Sequence, residues 1–419
     1  MHVRVLLALG VFLIADCAWR IANSKGAPAT DPNSRPASHN RSEFSGWVAA
    51  EGRLFFNDPL FPGQEENNGS LAGQPEYYHR WENGSAFTFT PFGRVDSADP
   101  ERTHWDIREL NYLYPGDSWF FRFGVARVFW GATEFVHLVD IVNQTDWVEH
   151  IDGEEKLGQP MIEFSLTKGW GTMDFFVLPY FRERTFPGRE GRLRHGLIID
   201  ADRAFYESTA GEHSVDLALR YSRSFGSIDF GIYYFKGTNR DPLLVPAQML
   251  DPNATGEPTL IPFYDKIDQV GTDVQWAMGN WLWKLEALYR DGLFQNYFAA
   301  TGGLEYTLSN VGQTGTDLGL VFEYAYDQRR ERATTPYKND AMAGLRVSPK
   351  DAASTQILMG YIQDMDDSSK AAILEATRRL GDHWKLSLDV WTFMDLAPGN
   401  LYYDLRHDSF ARLELAYYF

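Results

Sequence analysis

Alternation at period two constrains this sequence more than any other feature. From Phe44 to Phe419, segments of about ten residues carry apolar side chains at every second position, with turn residues between the segments. Val215, Leu217, Leu219 and Tyr221 alternate with Asp216, Ala218, Arg220 and Ser222. Trp281, Trp283, Leu285, Ala287 and Tyr289 alternate with Lys284, Glu286 and Arg290, and Leu318, Leu320, Phe322 and Tyr324 with Glu323 and Asp327. One face of each strand is apolar and the other is small or charged, the split that lipid outside and water inside a closed barrel require. Aromatic residues, 15% of the chain, gather near the segment ends, where an apolar ring with a polar edge suits a membrane interface.

The last segment is the strongest. Ala411, Leu413, Leu415, Tyr417 and Phe419 alternate with Arg412, Glu414 and Ala416. A terminal Phe with Tyr two places before it resembles the signal read by the barrel-assembly machinery of bacterial outer membranes. In water such an apolar edge would invite aggregation. Counting back from Phe419, long segments at 395–408, 327–337, 237–267, 182–213 and 130–159 alternate with tight turns at Gly381-Asp382, Gly279-Asn280, Phe225-Gly226, Gly169-Trp170-Gly171 and Pro115-Gly116-Asp117. With Glu82-Asn83-Gly84-Ser85 read as an Asn-Gly hairpin turn, the fold class is an all-β transmembrane antiparallel barrel of about 18 strands. The weakest segment is Glu76 to Trp81, and the count falls to about 16 if Phe44 to Phe56 also lies outside the wall.

The N-terminus reads as an address. Arg4 precedes an apolar run from Val5 to Ala15, too short to span a bilayer and typical of a secretory signal. We expect a signal peptide over residues 1–22, cleaved between 15 and 29, then a disordered leader over 23–43 and a barrel over 44–419. Asp16 before Cys17, the single cysteine, argues against lipidation there and leaves a mature chain without a thiol. A disulfide framework and a thiolate metal site are thereby excluded. The mean hydropathy of -0.36 suits a barrel, in which only alternate residues need be apolar. The formal net charge of -18 makes nucleic acid an improbable partner, and outer-membrane lipid and lipopolysaccharide are the expected surroundings.

A barrel this wide has room for an aqueous channel. The segment 130–159 holds Glu134, His137, Asp140, Asp146, Glu149, His150 and Asp152, interleaved with Phe135, Val136, Leu138, Val139, Ile141 and Val142. An inward-folded loop with apolar anchors on the wall and acids toward the channel would form a constriction that favours cations. The same acids could instead solvate an outer loop. Arg182, Arg184, Arg189, Arg192 and Arg194 form a basic cluster that could face this loop across an eyelet or bind anionic lipid groups. Arg122, Asp216, Arg220, Lys284, Glu286, Glu323, Lys385, Asp389, Arg412 and Glu414 fall on the face assigned to the lumen, because charge on the lipid face costs several kcal/mol at the midplane.

The stretch Ile107-Arg108-Glu109-Leu110, Phe123-Gly124, Val128-Phe129-Trp130-Gly131, Glu134-Phe135 and Val139 to Asp146 resembles a family of porin-like bacterial outer-membrane barrels of unassigned substrate. Gln144 stands where that family usually has proline. The resemblance, specific over residues 107–184, implies an outer-membrane barrel and passive transport of small solutes without a cofactor. Catalytic readings of His137, His150, His195 and His213 with Ser165 or Ser208 find no spacing that suggests a site, and an enzyme is not expected. Two other functions stay open: a non-conducting structural or receptor barrel, and uptake of apolar or aromatic compounds suggested by the Pro-rich segment 241–263.

Overall fold

A computed structural model describes residues 40–251 and 257–419. The expected signal peptide and all but the end of the leader lie outside the described residues. Among the described residues no helix is long and apolar enough to cross a membrane; the chain crosses with strands. Eighteen of them form one antiparallel sheet, each paired with the next in sequence. The first seven are β1 (Arg41–Phe55), β2 (Asn67–Arg80), β3 (Ala86–Asp96), β4 (His104–Pro115), β5 (Trp119–Ala126), β6 (Gln159–Lys168) and β7 (Gly171–Leu178). The last strand, Phe410–Tyr418, pairs with β1 from Phe55↔Phe410 to Trp47↔Tyr418 and closes the ring. Closure leaves no free edge, which a bilayer demands because lipid cannot hydrogen-bond an exposed backbone.

The strand count agrees with the sequence reading, and the weak segment before Trp81 is the end of β2. β1 starts at Arg41, three residues ahead of the expected boundary at Phe44. The hairpin at 81–85 closes with Gly84 N on the Trp81 carbonyl at 2.9 Å. Pro91 interrupts β3, and the register with β4 shifts between Thr90 and Pro91, where a residue without an N–H is tolerated.

Facing is as the alternation requires. Trp283, Leu285, Leu320, Phe322, Leu413 and Leu415 point outward and are exposed, whereas Lys284, Glu286, Glu323 and Asp389 point into the lumen and are buried. Outer loops carry a small second sheet in which Leu243–Pro246 pairs with Thr259–Tyr264, and the latter pairs in parallel with Ile198–Ile199 and Phe205–Tyr206. Leu285 lies mid-strand on the outer face, so Leu285→Arg should cost about 2–4 kcal/mol of folding stability. Urea titration in liposomes, with the heat-modifiable gel shift as a check of folding, measures this; an unchanged midpoint would place Leu285 away from lipid.

Candidate functional site: the inward loop and the outer vestibule

The connection from β5 to β6, residues 127–158, turns into the barrel and crosses it. Trp130, Val139, Ile141 and Val142 pack on the near wall against Met161, Phe176, Ala218 and Phe235. Val136 and Ile151 reach the opposite wall, where they meet Ala325, Met342, Ile362, Ile373 and Trp391. Phe135 lies against Gly360 so closely that a Cβ there would come within 2.9 Å of its ring. Wall residues that a water-filled lumen would wet are dry: Gln269, Glu286 and Glu323 are each 0% exposed. The loop is a plug that covers these wall residues.

Two sets of polar contacts hold it. On one side the wall carboxylates accept from the loop's backbone. Glu286 takes Ala132 N at 2.7 Å, Thr133 N at 3.0 Å, Thr133 Oγ1 at 2.6 Å and Val139 N at 3.2 Å. Glu323 takes Glu134 N at 2.7 Å and Phe135 N at 3.0 Å. A loop crossing the lumen has amides with no strand to pair with, and buried donors need acceptors. The Trp-Gly pair noted in the sequence serves this approach: Gly131 has φ +156°, and a Cβ there would sit 3.0 Å from Glu286 Oε1.

On the other side the loop's own acids meet wall arginines. Asp146 accepts from Arg108 at 2.6 Å and from Thr185 Oγ1 at 2.8 Å, with His104 at 3.2 Å. Glu149 receives the Arg94 guanidinium through Nε at 2.8 Å and Nη2 at 2.7 Å, the fork geometry that makes such pairs strong. Arg102 donates to the Val148 carbonyl at 2.9 Å, Arg53 donates to that of Glu149, and Glu51 lies among Arg53, Arg94 and Arg102. Burial pushes the Asp146 carboxyl up, but Arg108 and His104 beside it outweigh burial and hold it well below the usual carboxylate range. Burial likewise raises Glu149, and Arg94 and Arg102 bring it below its ordinary value.

These contacts correct the expected constriction. The loop folds inward, but Asp140, Asp146 and Glu149 do not line a channel; each is buried against a cation, Asp140 against Lys156 at 3.3 Å. Glu134 pairs with Arg346 at 2.8 Å and with Lys284 at 3.4 Å. His137 sets its ring edge-on to Phe129, and His150 contacts Asp152 at 2.8 Å and turns toward Trp391 and Phe410. The basic cluster does not oppose the acids either. Arg182 pairs with Asp106, Arg184 with Asp241, Arg189 with Glu257 and Arg192 with Asp408, while Arg194 donates to the carbonyls of Arg189, His195 and Gly196. The loop's acids are thus neutralised on several elements: Asp146 and Glu149 on β3 and β4, Glu134 on Lys284 and Arg346 of later strands, and Asp140 on Lys156 of the loop itself.

The wall assignments fall on the lumen face, largely as cross-strand pairs: Arg122 with Glu163 at 2.7 Å, Arg220 with Asp273 at 2.7 Å, and Asp389 with Arg412 at 2.6 Å. Lys385 and Glu414 share that face, and Asp216 binds Arg240 and Lys266. Sequence reasoning missed Glu51, Arg53, Arg94, Arg102 and Arg108. The signal of all but Arg102, which lies in the turn between β3 and β4, was present as charge on the inward positions of consecutive segments. Ser165 donates to Asp174 at 2.5 Å, and His213 meets the edge of Tyr180.

On the outer side of the plug the loops enclose a cavity of about 550 Å³. Phe186, Leu197, Ile199, Leu243, Leu244 and Phe294 line it together with Trp147 of the plug.

No protein-family model matches the sequence, and no curated protein matches it either. Among solved structures, Wzi of Escherichia coli, described as a carbohydrate-binding β-barrel of the outer membrane involved in group 1 capsule assembly, aligns at 10% identity with a TM-score of 0.50, over 88% of this chain and 83% of its own. The fold is that of the bacterial outer-membrane β-barrels. OmpT, an outer-membrane protein of Vibrio cholerae, aligns at 9% identity over 91% of this chain and 100% of its own, with a TM-score of 0.46. A triple mutant of the Rhodopseudomonas blastica porin aligns at 12% identity over 90% and 100%, with a TM-score of 0.43.

Glu286→Leu leaves the Ala132, Thr133 and Val139 amides without their acceptor, at about 1–3 kcal/mol per stranded donor. The plug of this variant should become sensitive to trypsin at Arg127 and Lys156 while the barrel still shows its heat-modifiable shift; continued resistance would mean that Glu286 does not hold the loop. The seat should also depend on pH. Because the folded values of Asp146 and Glu149 are depressed, their stabilisation is complete above the ordinary carboxylate range and is lost as pH falls through the lower folded values. Trypsin is inactive there, so pepsin cleavage of the plug, measured relative to an unfolded substrate at each pH, should stay slow at pH about 4 and accelerate below it.

Proposed function

We propose that this chain is a gated, porin-like channel of the outer membrane, shut in the observed state by residues 127–158. One observation carries the reading: the plug is seated by six wall contacts to backbone amides and hydroxyl, and by arginine–carboxylate pairs, all of them groups that water can serve equally well. A plug glued only by apolar surface would resist a wetting lumen. The width supports the reading too, since a ring of 18 strands exceeds what its own wall side chains can fill. Transport needs no cofactor, and the direction follows the concentration gradient. Because the plug's acids are already neutralised on the wall, cation preference does not rest on them.

A second reading is favoured by the depth of the arginine network, in which Arg94, Arg102 and Arg108 are all buried. Removing one partner of a buried pair costs about 3–5 kcal/mol, and a seat of that strength suits a barrel that binds at its mouth and never conducts.

Planar-bilayer recording separates the two. The wild-type barrel should be nearly silent, and the double variant Glu286→Leu, Glu323→Leu should show stable steps with an open fraction at least about tenfold higher, on the scale of a lost latch of about 1.4 kcal/mol or more. A double variant that is folded, protease-sensitive in its plug and still silent would establish the non-conducting barrel instead.

A further inference from the structure

The outer connection that follows β7 runs across the barrel mouth. Around the ring β7 and the last strand stand seven strands apart, yet residues 182–196 reach from the one to the rim of the other and are tied down along the way. Arg182 donates to Asp106 of β4 at 2.5 Å, and Arg184 to Asp241 at 2.6 Å. Gly188 N donates to Asp99, in the connection between β3 and β4, at 3.1 Å. On the far rim Asp408 accepts from Arg192 at 2.7 Å and from Leu193 N at 2.9 Å, and Asp404 accepts from Gly196 N at 2.8 Å. Each of these acceptors is an aspartate of another element. The approach is close enough to require glycine: a Cβ at Gly188 would stand 2.7 Å from Asp99 Oδ1, and one at Gly191 would fall on Asp99 Oδ2.

One side of this segment borders the outer cavity through Phe186 and Arg194, and the other lies on the plug. Thr185 Oγ1 donates to Asp146 at 2.8 Å and accepts from Val148 N at 3.3 Å, and Arg182 donates to the Gly158 carbonyl at 2.9 Å. The Arg184 guanidinium lies 5.6 Å from the centre of the Trp147 ring. Leu193 joins the cluster in which Val136 and Ile151 of the plug meet the wall. Between Pro187, Gly191 and Leu193 on one side and Trp147, Val148 and Ile151 on the other, a gap of about 20 Å³ is left, room for about one water. Leu193 also has φ +58°, in the left-handed region that a leucine disfavours. Its N–H on Asp408 and its buried side chain hold it there, so loss of that anchor favours its withdrawal from the plug.

We propose that residues 182–196 form a strap that locks the plug from outside, so that the plug leaves its seat only after the strap has lifted from Asp408. This role as a regulator rests on the channel reading, whereas the strap's hold on the plug is measurable without it.

The test is limited trypsin digestion of the full barrel in liposomes, with the fragments identified by mass spectrometry. Asp408→Ala removes the far anchor. Cleavage at Arg189, Arg192 and Arg194 in the strap and at Arg127 and Lys156 in the plug should both become at least tenfold faster than in the wild type, while the barrel keeps its heat-modifiable shift. A strap that is cut over a plug that stays resistant, or a strap that stays resistant itself, would overturn the proposal. A second variant does not depend on the folding of the first. A Cβ at Gly188 stands 3.6 Å from that of Glu101, within disulfide range, so Glu101→Cys with Gly188→Cys in a Cys17→Ser chain clamps the strap reversibly. Oxidation should slow plug cleavage at least tenfold relative to the same protein after reduction, and equal rates would overturn the proposal. Conductance of this clamp in the Glu286→Leu, Glu323→Leu background separates the two readings. A barrel silent in both redox forms, with plug cleavage that responds to reduction, refutes the channel and keeps the strap; steps that ignore the redox state keep the channel and refute the strap.

Discussion

Every feature of this molecule follows from the need to satisfy backbone hydrogen bonds where water is absent. In lipid that need closes the sheet, so β1 must find the last strand and Phe55 must register with Phe410. Inside the ring it returns in another form. A lumen 18 strands around cannot be filled by its own inward side chains, and the segment that enters it brings amides with no strand to pair with. Glu286 and Glu323 are the answer: two inward carboxylates do for residues 132–139 what a neighbouring strand would have done.

The plug is consequently polarised. Its amides face the strands Trp281–Gly292 and Asp317–Asp327, and Asp146 and Glu149 face β3 and β4, while Glu134 turns to Lys284 and Arg346. The transverse electrostatics expected between the acidic loop and a basic outer loop does exist, but between other partners. Arg94, Arg102 and Arg108 come from early strands and their connection, and the arginines from 182 to 194 are taken up by Asp106, Asp241, Glu257 and Asp408. Apolar packing then completes the seat, since Val136 and Ile151 find Met342 and Ile362 across the barrel. The plug is wet chemistry at its latches and dry packing between them, a combination compatible with a closed state that can be released.

The membrane wall was legible in the sequence because its physics is local. Leu285 must face lipid if Glu286 faces inward, and the turns at Asn83-Gly84 and Gly279-Asn280 set where each strand reverses. Inward folding of the loop was expected from the porin-like barrels that the sequence resembles, with Val139 and Ile141 as the apolar anchors that would let it pack on the wall, while an outer loop stayed open as the alternative. What those residues touch was not. Glu323 and Phe135 are 188 positions apart in sequence, and no pattern within either segment refers to the other. The cavity was equally hidden, because Phe186, Leu243, Phe294 and Leu401 belong to different loops and become one wall only when the ring closes.

The sequence by itself determined the character of the wall: about 18 strands, with 16 as the alternative, and the face each charge occupies, because alternation at period two is imposed residue by residue by lipid on one side of every strand. Only the tertiary structure decided what the barrel encloses. The pairing of Asp146 with Arg108, the seating of the loop's amides on Glu286 and the walls of the outer cavity depend on which strands stand opposite one another around a closed ring, and that is a property of the ring and of no segment within it.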